Sequence, residues 1–389
     1  MTGSTDHSLP IDSTTLAQVV GNVLDTHTAE IEQWQVEPAG VSRGSATAGV
    51  YRVSGVARDG ETASEWAVIL KIIRPAASDF NPAADDMDHP LYWKREALAY
   101  ESGLLDNLPA DMCAPHCYAV ETRDDNSCWI WLEAMLDDFG EQWPLALYRH
   151  AAVVLGRFNG AFLTGRSIPD HPWLGSAGTM PGLLNAFAFT QDYIREPEIW
   201  QHPTVQAAFP RPVADRLIRL WDGRQPLLDG LERLPQTLCH RDAFRRNIFA
   251  SQKRSRQLEL TFIDWAYVGR GEIGLDIGDL FAASYHTCSV RSDDLSALDS
   301  AIYEGYLSGL REVGWQGDAR LARFGFTAAA SLKYGTLLFW LGDLGDPQRY
   351  ATWEELSDQP IDIFVQQQAR LVAYLLDLAD EARELLPAL

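Results

Sequence analysis

The chain has 389 residues, 46% hydrophobic and 11% aromatic, enough apolar side chain for a sizeable core and for two lobes or domains. A formal charge of −22 argues against nucleic acid as a partner, because a binder must neutralise phosphates with a basic face. No run reaches the roughly 20 apolar residues of a membrane-spanning helix. The opening MTGSTDHSLPIDS lacks the basic-then-apolar order of a secretory signal, so a cytoplasmic location is expected. Five cysteines, at 113, 117, 128, 239 and 288, are odd in number and unpatterned, which suits free thiols in a reducing compartment. Cys113, His116 and Cys117 lie close together, without the second pair that a metal site of this kind needs.

After a polar tail, the spacing of Leu16, Val19, Val20, Val23 and Leu24 predicts a helix over 14–34, with Ser13 as its cap. Residues 36–73 read as three antiparallel strands, the second over 50–56 and the third over 66–73, with Asp59-Gly60 as a hairpin turn. A polar loop over 75–90 precedes a helix over 91–105, in which Leu98, Glu101 and Leu105 share a face. Two more strands follow, over 117–122 and 127–133. Beyond Met135 the pattern is mainly helical, with helices over 145–163, 181–194, 213–231, 296–313, 319–341 and 361–386. The plan is α+β: a small sheet lobe with one main helix over 1–133, then a larger, mostly helical lobe over 134–389.

The chemistry concentrates in Leu238-Cys-His-Arg-Asp-Ala-Phe-Arg-Arg-Asn-Ile-Phe-Ala250, which sets His240, Asp242 and Asn247 in the order H-x-D-x-x-x-x-N. An apolar segment then ends near Asp264, in Ile263-Asp-Trp265. Phosphoryl transfer asks little covalent help of a protein; it needs donor and acceptor held in line and the phosphate charge neutralised. Magnesium takes oxygen ligands and commonly only one or two carboxylates. Asn247 and Asp264 supply that donor chemistry, and a separate carboxylate, Asp242, suits the acceptor hydroxyl.

These segments resemble the catalytic and metal loops of the aminoglycoside phosphotransferase and choline kinase families, distant structural relatives of the protein kinases. Arg241 stands where those families typically carry Gly. Phe244 stands where a protein kinase usually carries Lys, and Ile-Asp-Trp replaces Asp-Phe-Gly; both favour a small-molecule kinase. Gly274-Leu-Asp276-Ile-Gly-Asp279-Leu280 resembles the families' G-x-x-x-x-D-L segment, whose Asp supports the catalytic loop, as His240 does by hydrogen bonds.

The resemblance implies a protein-kinase-like two-lobed fold with ATP in the cleft and Mg2+ on Asn247 and Asp264. Asp242 would act as base, and Arg245 would reach the transferred phosphoryl group. In the N-terminal half, Lys71 would meet the donor phosphates with Glu96 as its partner. Gly44 and Ser45 would cover the triphosphate, and the main chain of Glu133 and Met135 would meet the purine. Phe339, Trp340 and Trp353, with Asp343, Glu354 or Glu355, are candidates for an acceptor pocket. The expected activity is ATP- and Mg-dependent phosphorylation of a small-molecule hydroxyl: an aminoglycoside, an amino sugar, a choline-like compound or another metabolite. The acidic charge tilts this towards a cationic acceptor. The rival readings are a protein or peptide kinase and a catalytically inactive nucleotide-binding or scaffold protein.

Overall fold

In the computed structural model, which describes residues 9–26, 28–39, 46–75, 85–109, 111–174, 179–209, 213–252, 258–290 and 293–389, the first helix is shorter than its sequence suggests. Helix α1 (Ser13–Leu24) is capped by Asp12, not Ser13: the Asp12 carboxylate accepts the Thr15 N–H at 2.9 Å. It ends at Asp25, which turns left-handed at φ 52°. The hydroxyls of Thr26 and Thr28 then donate to Asp59 at 2.9 and 2.6 Å. Residues predicted to continue the helix instead form strand β1 (Glu30–Pro38). The apolar stripe of α1 runs out at Leu24, and beyond it a β partner satisfies the backbone better than a helix without a buried face.

Strands β2 (Thr47–Asp59) and β3 (Thr62–Ile73) form the expected antiparallel hairpin, with Gly60 at φ 60° in its turn. Helix α2 (Arg95–Glu101) occupies only the middle of its predicted span. Strands β4 (Met112–Cys113), β5 (Cys117–Thr122) and β6 (Cys128–Glu133) follow, and the antiparallel order β1-β2-β3-β6-β5 makes one five-stranded sheet. Along β3 the side chains alternate between two buried layers. Val68 and Leu70 pack with Leu16, Val19 and Val20 of α1 and with Trp131. Ile69 and Ile73 pack with Trp93 and Ala97 and with Ile130. Lys71 shares the second face.

The chain divides into two units: Met1–Met87, Leu91–Asn107 and Ala114–Leu136 in the first, and Asp88–Pro90, Leu108–Cys113 and Asp137–Leu389 in the second. The second is mostly helical. It opens with α3 (Leu145–Leu163), α4 (Thr179–Ala186), α5 (Thr190–Arg195), α6 (Pro197–Gln201), α7 (Pro203–Ala208), α8 (Val213–Asp222) and α9 (Gln225–Glu232). Four short strands follow: β7 (Gln236–Cys239), β8 (Ile248–Gln252), β9 (Leu258–Phe262) and β10 (Gly269–Glu272). The chain closes with α10 (Leu275–His286), α11 (Leu295–Glu312), α12 (Ala319–Thr336), α13 (Phe339–Asp343), α14 (Pro347–Ser357) and α15 (Ile361–Leu385). The predicted helices over 181–194, 213–231 and 319–341 are each two helices, broken near residues 188, 223 and 337. Helices α6, α7, α10 and α14 were not anticipated; the polar composition of α14 carries no apolar stripe.

Helices α3 and α11 touch backbone to backbone. A Cβ at Gly156 would strike the Tyr306 carbonyl and come within 3.0 Å of the Leu310 nitrogen; one at Gly309 would strike the Val153 carbonyl and approach the Arg157 nitrogen to 2.9 Å. Only glycine permits this approach.

Candidate active site

In the first unit, Lys71 sits on the β3 face that packs towards α2, and its Nζ lies 2.5 Å from Glu96 Oε2. Both residues are buried, at 7% and 1% exposure. A buried ammonium needs a partner, and α2 delivers one directly across the layer. Glu133 ends β6; its N–H donates to the His116 carbonyl at 2.8 Å and its carboxylate accepts the His116 N–H at 3.2 Å. The main chain of Met135 makes no hydrogen bond to a described residue. Of the two residues expected to meet a purine, Met135 is the one whose N–H is uncommitted among the described residues. Gly44 and Ser45 lie outside the described residues.

In the second unit, β7 feeds the loop that carries His240, Asp242 and Asn247. Asn247 donates from Nδ2 to Asp242 Oδ2 at 2.8 Å and to the Asp242 carbonyl at 2.9 Å. Both amide hydrogens are thereby engaged, and Oδ1 is the uncommitted oxygen of that side chain among the described residues. Asp264 lies two residues beyond β9 in the left-handed region, φ 60°. Burial is the main force on the Asp242 carboxyl, pushing it up to about 7. The positive charge of Lys333 opposes that push, the negative charges of Asp264 and Asp279 add to it, and the Asn247 hydrogen bond opposes it. His240 is a strut: Nδ1 accepts the Asp242 N–H at 3.3 Å, which leaves Nε2 to donate to the Ile263 carbonyl at 3.0 Å. One imidazole thus ties the Asp242 segment to the Asp264 segment, packed 4.4 Å from the Trp265 ring.

No group of three or more His, Cys, Asp or Glu side chains is arranged for a metal ion among the described residues. The oxygens on offer are two carboxylates and one amide. That hard and incomplete set fits magnesium, which keeps several waters and takes phosphate oxygens as further ligands.

The support beneath the loop was only partly anticipated. Asp276, on α10, accepts the N–H of His240 at 3.1 Å and that of Arg241 at 2.8 Å, so it grips the loop directly. Asp279, the Asp that the sequence resemblance pointed to, binds Lys333 Nζ and the Tyr334 hydroxyl, each at 2.8 Å. Lys333 passes the contact on to the Arg241 carbonyl at 3.3 Å. Asn159 of α3 was missed altogether. It donates to the Leu238 carbonyl at 2.9 Å and to Asp276 at 3.0 Å, and it accepts the Tyr306 hydroxyl at 2.9 Å. A lone Asn inside the apolar helix 145–163 was the signal, because a buried amide must find partners.

Arg245, expected to reach the transferred phosphoryl group, is engaged within its own unit. Its guanidinium is ion-paired to Asp137, donates to the Gly140 carbonyl and, at 2.8 Å, to the Ile248 carbonyl, and lies 4.4 Å over the Trp143 ring. At 3% exposure it is a buried anchor for the loop rather than a free cation. The proposed acceptor aromatics also divide. Trp340 is core, stacked on Phe209. Asp343 is held by Arg349 and by the Trp353 indole N–H at 2.9 Å, and Glu354 accepts the Ile361 N–H at 2.9 Å. Phe339 instead packs edge-on to Phe187, 5.2 Å between ring centroids, with Phe189 beside it. Cys117 donates to the Ala119 carbonyl, and burial pushes its thiol up to about 12, the behaviour of an inert structural cysteine.

No curated protein matches the sequence. Among solved structures, an aminoglycoside phosphotransferase from Alicyclobacillus acidocaldarius is similar over 100% of this chain and 99% of its own, with 13% identity and a TM-score of 0.51. A choline kinase from Cryptosporidium parvum is similar over 96% of this chain and 97% of its own, with 10% identity and a TM-score of 0.53. These likenesses establish the protein-kinase-like fold, with an antiparallel sheet in its N-terminal part and a mostly helical C-terminal part. Residues 87–316, more than half of the chain, match the phosphotransferase enzyme family, and the chain belongs to that family of small-molecule phosphotransferases.

Proposed function

We propose that the protein moves the γ-phosphoryl group of ATP, with Mg2+, to a hydroxyl of a small molecule. The observation that carries this reading is the Asn247–Asp242 pair, which fixes a carboxylate of raised pKa beside a free amide oxygen, with Asp264 close enough to act on it electrostatically. Asp242 would orient the acceptor hydroxyl and take its proton as the hydroxyl oxygen bonds to phosphorus and the bond to the ADP oxygen breaks. Asn247 Oδ1 and Asp264 would hold the magnesium ion, whose charge, when bound, neutralises phosphate oxygens. Lys71, held by Glu96, would bind the donor phosphates, and the Met135 N–H would face the purine. Arg245 stays outside the chemistry as an anchor.

A net charge of −22 supports a cationic acceptor, such as an amine-bearing sugar or a choline-like compound. Five free thiols fit a reducing cytoplasm, the location proposed here. No helix among the described residues is long and apolar enough to cross a membrane.

The deciding experiment is ADP release from Mg-ATP, and separately Mg-GTP, across aminoglycosides, amino sugars, neutral sugars, choline and hydroxy amino acids, with Asp242→Ala as control. Acceptor-dependent release that the substitution abolishes supports the reading and names the acceptor class. Nucleotide binding without acceptor-stimulated release would favour a scaffold, and exclusive use of neutral sugars would remove the cationic tilt.

A further inference from the structure

Lysine is scarce in this chain: four residues, against twenty-eight arginines. Lys253 lies outside the described residues, Lys94 is half-buried over the Trp93 ring, and Lys71 is the partner of Glu96. The fourth, Lys333, projects from the last turn of α12 to the catalytic loop. Arginine is the default cation here and also serves as a buried anchor at Arg245, whereas the lysine at 333 brings to its contacts a compact ammonium, which a planar guanidinium does not replace.

Resting on the phosphotransferase reading above, we infer that Lys333 is a positioning residue for phosphoryl transfer, fixing from α12 the turn at Arg241 that aims Asp242. Arg241 sits at φ 66°, in the left-handed region, where a residue with a Cβ is strained by roughly 1–2 kcal/mol and stays only if its surroundings hold it. Both sides of that residue are held. Asp276 of α10 takes its N–H at 2.8 Å, and Lys333 donates to its carbonyl at 3.3 Å. Lys333 is itself fixed by Asp279, 2.8 Å away, which also receives the Tyr334 hydroxyl. The carbonyl that Lys333 holds belongs to the peptide linking Arg241 to Asp242, so the ammonium acts one bond from the backbone of the reacting carboxylate. Its charge also offsets that carboxylate beside Asp264 and Asp279.

The test compares Lys333→Met with wild type in acceptor-dependent ADP release, nucleotide binding by calorimetry, and hydrogen exchange of residues 238–247. The substitution is expected to lower kcat by about 100-fold, a size typical of misplaced catalytic groups, with the nucleotide Kd within about 3-fold of wild type. Exchange should rise in 238–247 and stay unchanged in α15. Were Lys333 there merely to neutralise Asp279, the double substitution Lys333→Met with Asp279→Asn would regain wild-type kcat; that result, or wild-type kcat in Lys333→Met alone, overturns the inference. If Lys333→Met does not fold, Lys333→Arg carries the test: a kcat lower by about 10-fold upholds the inference, and an unchanged one overturns it. Absence of turnover in wild type with every acceptor would defeat the phosphotransferase reading instead, while the exchange measurement still decides whether Lys333 holds the loop.

Discussion

Lys71 and Glu96 face each other across the layer between β3 and α2, 2.5 Å apart and almost wholly withdrawn from water. Removing one member of a buried pair strands the other, a loss of about 3 kcal/mol or somewhat less where the stranded group can change protonation. Lys71→Met should therefore lower the melting temperature as well as weaken nucleotide binding. Glu96→Gln should keep the fold better and raise the nucleotide KM by roughly 10-fold, because Lys71 loses its aim but keeps its charge. Thermal unfolding and ADP-release kinetics on the two variants check both points, and equal KM values for Glu96→Gln and wild type would refute the role given to Lys71.

The pH dependence of activity follows from the Asp242 environment. Burial raises its carboxyl to about 7, and as the proposed base it must be ionised to accept a proton. Hence kcat/KM should climb as pH rises through about 7 and level off above it. A flat profile from pH 5 to 8 would mean that Asp242 is ionised throughout.

Stability should run the other way. Burial pushes Glu272 up to about 7 and Asp276 up to about 6, above the ordinary carboxyl range that they regain on unfolding. Between pH 4.5 and 7 the native state holds on these two groups protons that the unfolded chain has released, so their contribution to stability falls as pH rises across that window and outweighs the opposite effect of the lowered His150 and His286 imidazoles. The Glu272 contribution amounts to about 2–3 kcal/mol. The melting temperature should be higher at pH 5.5 than at pH 8, and Glu272→Gln should flatten that difference without touching the loop residues themselves.

Arg241→Gly places the residue that the left-handed backbone prefers at φ 66°, and relieves roughly 1 kcal/mol of strain. It also removes a buried guanidinium whose charge favours the ionised forms of Glu272 and Asp279. Loss of counter-charge around buried carboxylates costs more than the strain relieved, about 3 kcal/mol. The variant should unfold at a lower temperature than wild type, most visibly at alkaline pH; a stabilised variant would show that backbone strain dominates.

The grouping of the candidate site residues was legible in the sequence because their spacing is local. His240, Asp242 and Asn247 lie on one short loop, and a strand Lys within an apolar run announces its need for a partner. The same logic located β3, α3 and α11 closely. It failed where identity depends on distant partners. Trp34 belongs to a strand because β2 is there to pair with it, whereas its local spacing read as helix. Arg245 looked like a free cation until Asp137, more than a hundred residues earlier, came to pair with it. Asn159 and Lys333 gave weak signals alone, since their meaning lies in the Leu238 and Arg241 carbonyls that they hold.

The glycine seam between α3 and α11 acts as a gauge for all of this. Asn159 stands one helical turn beyond Gly156, and Tyr306 stands one turn before Gly309, so Asn159, which holds Asp276 and the Leu238 carbonyl, and Tyr306, which donates to Asn159, take their spacing from how closely the helices approach. The reach of Asp242 is thus calibrated some way from where it operates. A methyl group added at the seam would detune the loop with every reacting residue still in place, while changes around Phe187 and Phe339 leave that calibration untouched.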